Sequence, residues 1–153
     1  MLFTGQTDLT IDAKQRLAVP ARYRQQLEAS GQAAVWVCVP WPGRLLRLFP
    51  EATFERLGAA GDETLTPASD VAHMEATLFG LAERIEADSA GRLTLPRRHL
   101  ELAGLSTQVV VVGVRNRLEV RDRGAWNATM PERFADLPAL AERFESRRQG
   151  GQA

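Results

Sequence analysis

The sequence of 153 residues predicts an α+β fold made of two tandem β units related by a pseudo-two-fold, with short helices packed around them. Three observations predict it. First, Asp12-Ala13-Lys14-Gln15-Arg16-Leu17-Ala18-Val19-Pro20-Ala21-Arg22 aligns without gaps on Asp88-Ser89-Ala90-Gly91-Arg92-Leu93-Thr94-Leu95-Pro96-Arg97-Arg98. Second, each copy leads through a short segment to a glycine, Gly31 or Gly104. A Val-rich strand, a turn, a second strand and an aromatic residue on a short helix, Phe54 or Trp126, then follow. Third, the strands of either unit are too short and too few to make an independent sandwich, so the units must close on each other.

The first unit spans residues 5–50. Gly5 to Ile11 alternates weakly and ends at Asp12, whose carboxylate can accept from backbone N–H groups two residues on and close a turn. Arg16 to Val19 alternates, with Leu17 and Val19 on one face and Arg16 on the other. Pro20 fixes φ at the first helical position, and Ala21 to Glu28 favours a helix that stops before Gly31. Ala34 to Val39 is a β-branched strand, Pro40 to Gly43 a turn, and Leu45 to Phe49 the returning strand.

Residues 51–80 connect the units. Gly58 to Thr66 reads as a loop, and Thr66-Pro67 opens a helix with Val71, Met74 and Leu78 on one stripe, ended by Gly80. The second unit, 81–124, repeats the plan. It has strand Leu81 to Glu86, strand Arg92 to Leu95, helix Pro96 to Ala103 stopped by Gly104, and a hairpin from Gln108–Val114 to Leu118–Arg121. Residues 125–153 read as a helix with Phe134, Leu137, Leu140 and Phe144 at spacings of 3, 3 and 4, followed by a disordered tail from Arg147.

Formal net charge is zero, from 19 basic and 19 acidic residues, yet the charge is uneven. Residues 13–24 carry Lys14, Arg16, Arg22 and Arg24 with no acid, and residues 89–99 carry Arg92, Arg97 and Arg98 with none. The other 130 residues are left with 12 bases against 19 acids, a net of −7. Eighteen of the 19 bases are arginine, which a GC-rich coding bias explains without any ligand, so position rather than abundance carries the argument. Arginine can fork onto guanine O6 and N7, lysine acts as a point charge for phosphate, and a two-stranded ribbon fits a major groove. Arg22 and Arg24, on the helix after the strand, suit phosphate contact and a plain solvated face equally. Asp12 and Asp88 are read as turn-forming rather than catalytic.

The Asp-x-x-x-Arg-Leu-x-[Val/Leu]-Pro core, present twice at this separation, resembles the MraZ family of bacterial transcriptional regulators, whose halves are each a SpoVT-AbrB-type DNA-binding unit. The resemblance covers residues 1 to about 130. It implies a swapped-hairpin barrel assembled into ring-like homo-oligomers, which bind short direct repeats in double-stranded DNA ahead of a division and cell-wall gene cluster. The DNA-contacting loops map onto Asp12 to Arg16 and Asp88 to Arg92. The site expected on these grounds is Lys14, Arg16, Arg22, Arg24 and Arg92. One departure stands out: the family's glycine before the motif arginine is kept as Gly91 but is Gln15 in the first copy. A left-handed backbone there costs a non-glycine residue about 1 kcal/mol or more.

The alternative is an AbrB-like oligomeric interaction or antitoxin module, against which the second motif counts. Nothing points to an enzyme, a cofactor or a small-molecule substrate, since no nucleotide-binding, nucleophile-elbow or triad motif is present. His73 and His99 lack a second ligand at i+3 or i+4, so no metal site is expected. Cys38, the single cysteine, sits in a Val-rich strand as a small buried hydrophobe, and Trp36 and Trp41 beside it suit a core or an interface better than base stacking. No apolar run approaches the roughly 20 residues needed to cross a bilayer, and the start lacks the basic residues of a secretory signal. The expected location is the cytoplasm, in association with the nucleoid.

Overall fold

The computed structural model describes residues 1–151. The first unit contributes β1 (Gln6–Thr10), β2 (Arg16–Ala18), α1 (Ala21–Ala29), β3 (Val35–Trp41) and β4 (Leu45–Pro50). Helices α2 (Glu51–Gly58) and α3 (Ser69–Leu81) follow. The second unit adds β5 (Glu83–Glu86), β6 (Arg92–Thr94), α4 (Arg97–Ala103), β7 (Gln108–Val114) and β8 (Arg117–Asp122), and α5 (Arg123–Gly150) closes the chain. Six strands form one antiparallel sheet in the order β1-β7-β8-β4-β3-β5, and β2 and β6 pair as a separate antiparallel ribbon.

Exchanging β1 with β5, β3 with β7 and β4 with β8 reverses that order and leaves it unchanged. The two units therefore interlock: β1 of the first pairs with β7 of the second, and β5 of the second pairs with β3 of the first. Neither unit owns a complete sheet. The pseudo-two-fold axis passes between Leu17 and Leu93, which face each other in the ribbon, and between Arg47 and Glu119, which face each other where β4 meets β8.

The core lies between the ribbon and the inner face of the sheet. Leu17, Val19, Leu93 and Leu95 meet Trp36, Cys38, Leu46, Leu48, Val109, Val111, Leu118 and Val120 there, all buried. Each strand supplies every second residue, as the pleat requires. Phe3, Trp36 and Tyr23 extend the core toward α1, with Phe3 edge-on to Tyr23 at 5.7 Å between centroids.

Several boundaries differ from the sequence reading. Pro20 and Pro96 occupy the N-cap positions, with ψ of 138° and 130°, so each helix starts one residue later. β3 runs on through Trp41, because Pro40 and Trp41 pair with Leu46 and Leu45, and the turn is confined to residues 42–44. Helix α3 starts at Ser69 rather than at Thr66-Pro67, and it passes through Gly80 to Leu81, which delays β5 to Glu83. Gly104 does end α4, with a left-handed φ of 65°. Helix α5 continues through Arg147 to Gly150, where a disordered tail is expected, and Gln152 and Ala153 lie outside the described residues.

The expected closed barrel is not what the six strands form: β1 and β5 stand as the two edges of an open sheet. The hairpins β3–β4 and β7–β8 sit side by side at its centre, and the β2/β6 ribbon is carried apart from it.

Candidate nucleic-acid interface

The ribbon is the meeting place of the two repeats. Leu17 and Leu93 point into the core and are fully buried, so the alternation turns Arg16, Ala18, Arg92 and Thr94 to the opposite face. Arg16 lies opposite Thr94 and Ala18 opposite Arg92, which places the two arginines diagonally, about 7–8 Å apart at the backbone. Ala18 and Thr94 between them are small and exposed. The pairing extends one step at each end, with Val19 N donating to Gly91 O at 3.0 Å and Leu95 N donating to Gln15 O at 2.8 Å.

The two motif turns repeat bond for bond. Asp12 Oδ1 accepts from Lys14 N and Arg16 N at 2.9 Å each, and Asp88 Oδ1 accepts from Ala90 N at 3.0 Å and Arg92 N at 2.9 Å. The second oxygen of each carboxylate accepts from the motif arginine: Arg16 Nε at 2.7 Å and Arg92 Nε at 2.8 Å. The Arg16 and Arg92 backbone amides, aided by the same residues' guanidinium groups, hold Asp12 and Asp88 below the ordinary carboxylate pKa. Each aspartate thus does more than form a turn, because it clamps the Nε edge of the arginine four residues on. The recurrence of Asp and Arg at i and i+4 in both copies is the sequence signal for that clamp.

Lys14 is exposed at the tip of the first turn, where the second has Ala90. The left-handed position is real in both, with φ of 59° at Gln15 and 77° at Gly91. Gly91 has a further reason to be glycine: a Cβ there would fall 2.6 Å from Arg24 Cδ. Leu100 stands at the place in α4 that Arg24 holds in α1, counting from the motif aspartates. Gln15 turns its side chain back to donate to Ala13 O at 3.3 Å.

Arg22 and Arg24 are exposed at the surface, yet each is fastened within the chain. Arg22 Nη2 donates to Thr7 Oγ1 at 2.8 Å and Tyr23 Oη at 2.9 Å, and its guanidinium lies 4.7 Å over the Tyr23 ring. Arg24 Nε donates to Val19 O at 3.0 Å while its side chain covers Gly91. Arg97 and Arg98, the rest of the second basic island, lie exposed on the first turn of α4.

The remaining candidates resolve differently. His99 and Cys38 are both buried and meet at 3.3 Å, Nδ1 to Sγ. Burial pushes the thiol up to about 12 and the imidazole down. Trp36 is core, whereas Trp41 is 40% exposed and stacks on Arg47. Val71 and Met74 of α3 stay exposed, as do Phe134, Leu137, Leu140 and Phe144 of α5, so neither stripe is buried within the chain. Among the described residues, no group of three or more His, Cys, Asp or Glu side chains could hold a metal ion. No helix among them is long and apolar enough to cross a membrane.

The fold and this site define a class: a tandem-repeat α+β protein whose two halves build one ribbon with two clamped arginines on its free face. The family model described as "MraZ protein, putative antitoxin-like" matches residues 2–68 and 78–147. A transcriptional regulator MraZ of Thiobacillus denitrificans is 34% identical over 151 residues, covering 94% of this chain and 99% of the relative. Those of Pseudomonas savastanoi pv. phaseolicola and Nitrosomonas europaea are 32% and 30% identical, over 91% and 94% of this chain and 90% and 99% of their own. The chain belongs to the MraZ family.

Proposed function

We propose that this protein is a sequence-specific DNA-binding transcriptional regulator, without enzymatic activity, that reads double-stranded DNA with the free face of the β2/β6 ribbon. The observation that carries the reading is the pair Arg16 and Arg92. They share one face of one ribbon, and each is braced at Nε by its own aspartate, leaving Nη groups to fork onto base edges. Fixing the guanidinium beforehand lowers the side-chain entropy lost on binding. Lys14 contacts phosphate from the first turn, and Arg22 and Arg24 contact it from the flank. The names of the curated relatives support the regulatory role.

The family resemblance extends the reading to short direct repeats upstream of a division and cell-wall gene cluster, bound by a ring-like homo-oligomer at the nucleoid. The unburied apolar stripe of α5 supports association between copies.

A gel-shift with the DNA upstream of the protein's own gene, against scrambled DNA of the same length, tests the reading. The upstream DNA is expected to bind tighter. Despite zero net charge, log K should fall by about 0.9 per phosphate contact per decade of salt. Equal affinity for both DNAs, or a salt slope near zero, overturns it.

A further inference from the structure

The second motif turn is built by both units. Gly91 is buried within a surface turn, and the cover over it is Arg24 of the first unit. A Cβ at residue 91 would fall 2.6 Å from Arg24 Cδ, 2.7 Å from Nε and 2.9 Å from Cζ, so the end of that side chain fills the space above the turn. Arg24 is itself tied down, because its Nε donates to Val19 O at 3.0 Å. Val19 N in turn donates to Gly91 O at 3.0 Å. Two hydrogen bonds and one packing contact thus close a triangle between α1, the end of β2 and the second turn.

The residue after Gly91 is Arg92, so the direction in which Arg92 leaves the ribbon depends on the Gly91 backbone. Glycine restricts that backbone least of all residues. The first turn is fixed in another way. Leu95 N donates to Gln15 O at 2.8 Å, which mirrors the bond between Val19 and Gly91. Leu100, at the place of Arg24, has no donor for Leu95 O and packs against the core instead. Gln15 needs no such cover, since its own Cβ narrows the backbone it can adopt. A stiff residue without a brace and a free one with a brace are two solutions to holding the motif arginine.

We propose that Arg24 is a positioning residue for Arg92, which rests on the DNA-reading role proposed for the ribbon: from the first unit it fixes the Gly91 backbone and so aims the second arginine of the reading face. The Nη groups of Arg24 remain for phosphate, so its charge and its bracing have to be separated.

Two substitutions separate them. Arg24→Gln keeps the stem to Cδ and an N–H donor at the Nε position, and loses the charge. Arg24→Lys keeps the charge and has a methylene at that position. Size-exclusion and a thermal melt check that both variants assemble and fold. In gel-shifts with the upstream and scrambled DNAs, Arg24→Lys should lower the ratio of the two affinities by about threefold to tenfold, the cost of re-ordering one freed side chain. Arg24→Gln should keep the ratio and weaken both DNAs alike. In an Arg92→Ala background Arg24→Lys should leave the ratio unchanged, since it acts through Arg92. Hydrogen–deuterium exchange of the free protein needs no DNA. Peptides spanning residues 88–92 should exchange faster in Arg24→Lys and at the wild-type rate in Arg24→Gln, with residues 12–16 unchanged in both. A ratio kept by lysine and lost by glutamine, additivity with Arg92→Ala, or exchange at 88–92 untouched by lysine would each overturn the proposal. Equal wild-type affinity for both DNAs would instead sink the ribbon's DNA reading, and the exchange rates then decide by themselves whether Arg24 holds the turn.

Discussion

The turn carrying Arg16 and the turn carrying Arg92 share every clamp bond, yet the sequence between clamp and strand differs: Lys14 and Gln15 in one, Ala90 and Gly91 in the other. The difference lies in what packs on top. Arg24 of α1 lies over the second turn, where a Cβ would collide with it, whereas α4 offers Leu100 at the matching place. Glycine at 91 thus suits both a left-handed φ and the Arg24 side chain seated over it, whereas at 15 only φ favours glycine and Gln15 is accommodated. The helices differ in the same way. Tyr23 of α1 donates its hydroxyl to Thr4 O at 2.8 Å, and the matching residue of α4 is His99, turned to Cys38. Duplicated backbones have kept their hydrogen bonds while their side chains took separate tasks.

The axis itself gives the largest effect. Leu17 and Leu93 are equally buried and face each other, so Leu17→Ala and Leu93→Ala should each cost about 2–5 kcal/mol in urea unfolding. A pseudo-symmetric core requires the two losses to be close. Because the residues touch, the double variant should depart from additivity.

DNA recognition tests whether the halves remain equal in function. Arg16→Ala should lower operator binding relative to scrambled DNA by about 1–3 kcal/mol, the worth of one forked base contact. Arg22→Ala should weaken both DNAs by similar factors. Arg92→Ala should be milder than Arg16→Ala, because Ala90 leaves the second turn without the phosphate contact that Lys14 supplies to the first. An unchanged operator-to-scrambled ratio in Arg16→Ala, or a greater loss in Arg92→Ala, would overturn the assignment of base reading to the first turn. Size-exclusion of each variant guards against loss of assembly.

Swapping the turn residues comes next. Gly91→Gln should destabilise by roughly 1–2 kcal/mol from its left-handed backbone, plus the cost of displacing Arg24 from Val19 O. Gln15→Gly removes the same backbone strain, offset in part by the freer unfolded chain, so a gain of less than about 1 kcal/mol is expected. Thermal melts of both variants compare the two directly.

The smallest effect is the pH response that only the second unit carries. Burial lowers the pKa of His99 from its ordinary 6.5, so the folded state binds this proton less readily than the unfolded state. Stability from the neutral imidazole is complete above the unfolded value and is lost as pH falls below it. Melting temperature should thus fall between pH 7 and 5, and His99→Gln should flatten that slope. An identical slope in the variant would place the response elsewhere.

The duplication, the order of the elements and both motif turns were legible from the sequence alone. Local chemistry decides these: an aspartate closes its turn within four residues, alternation sets the faces of Leu17 and Arg16, and Gly104 stops α4 by its own φ. The same local rules placed Arg16 and Arg92 in equivalent turns. They did not reveal that each arginine is clamped at Nε, or that both lie on one ribbon. Tertiary structure decided which strands pair, because the pleat's period of two fixes a strand's face and says nothing of its partner. It is the exchange of β1 and β5 between the units that leaves β2 and β6 to meet on the axis. It also decided that Arg24 guards Gly91 and that the α3 and α5 stripes remain uncovered. These depend on residues far apart in the chain, whose meeting is set by the burial of the whole core.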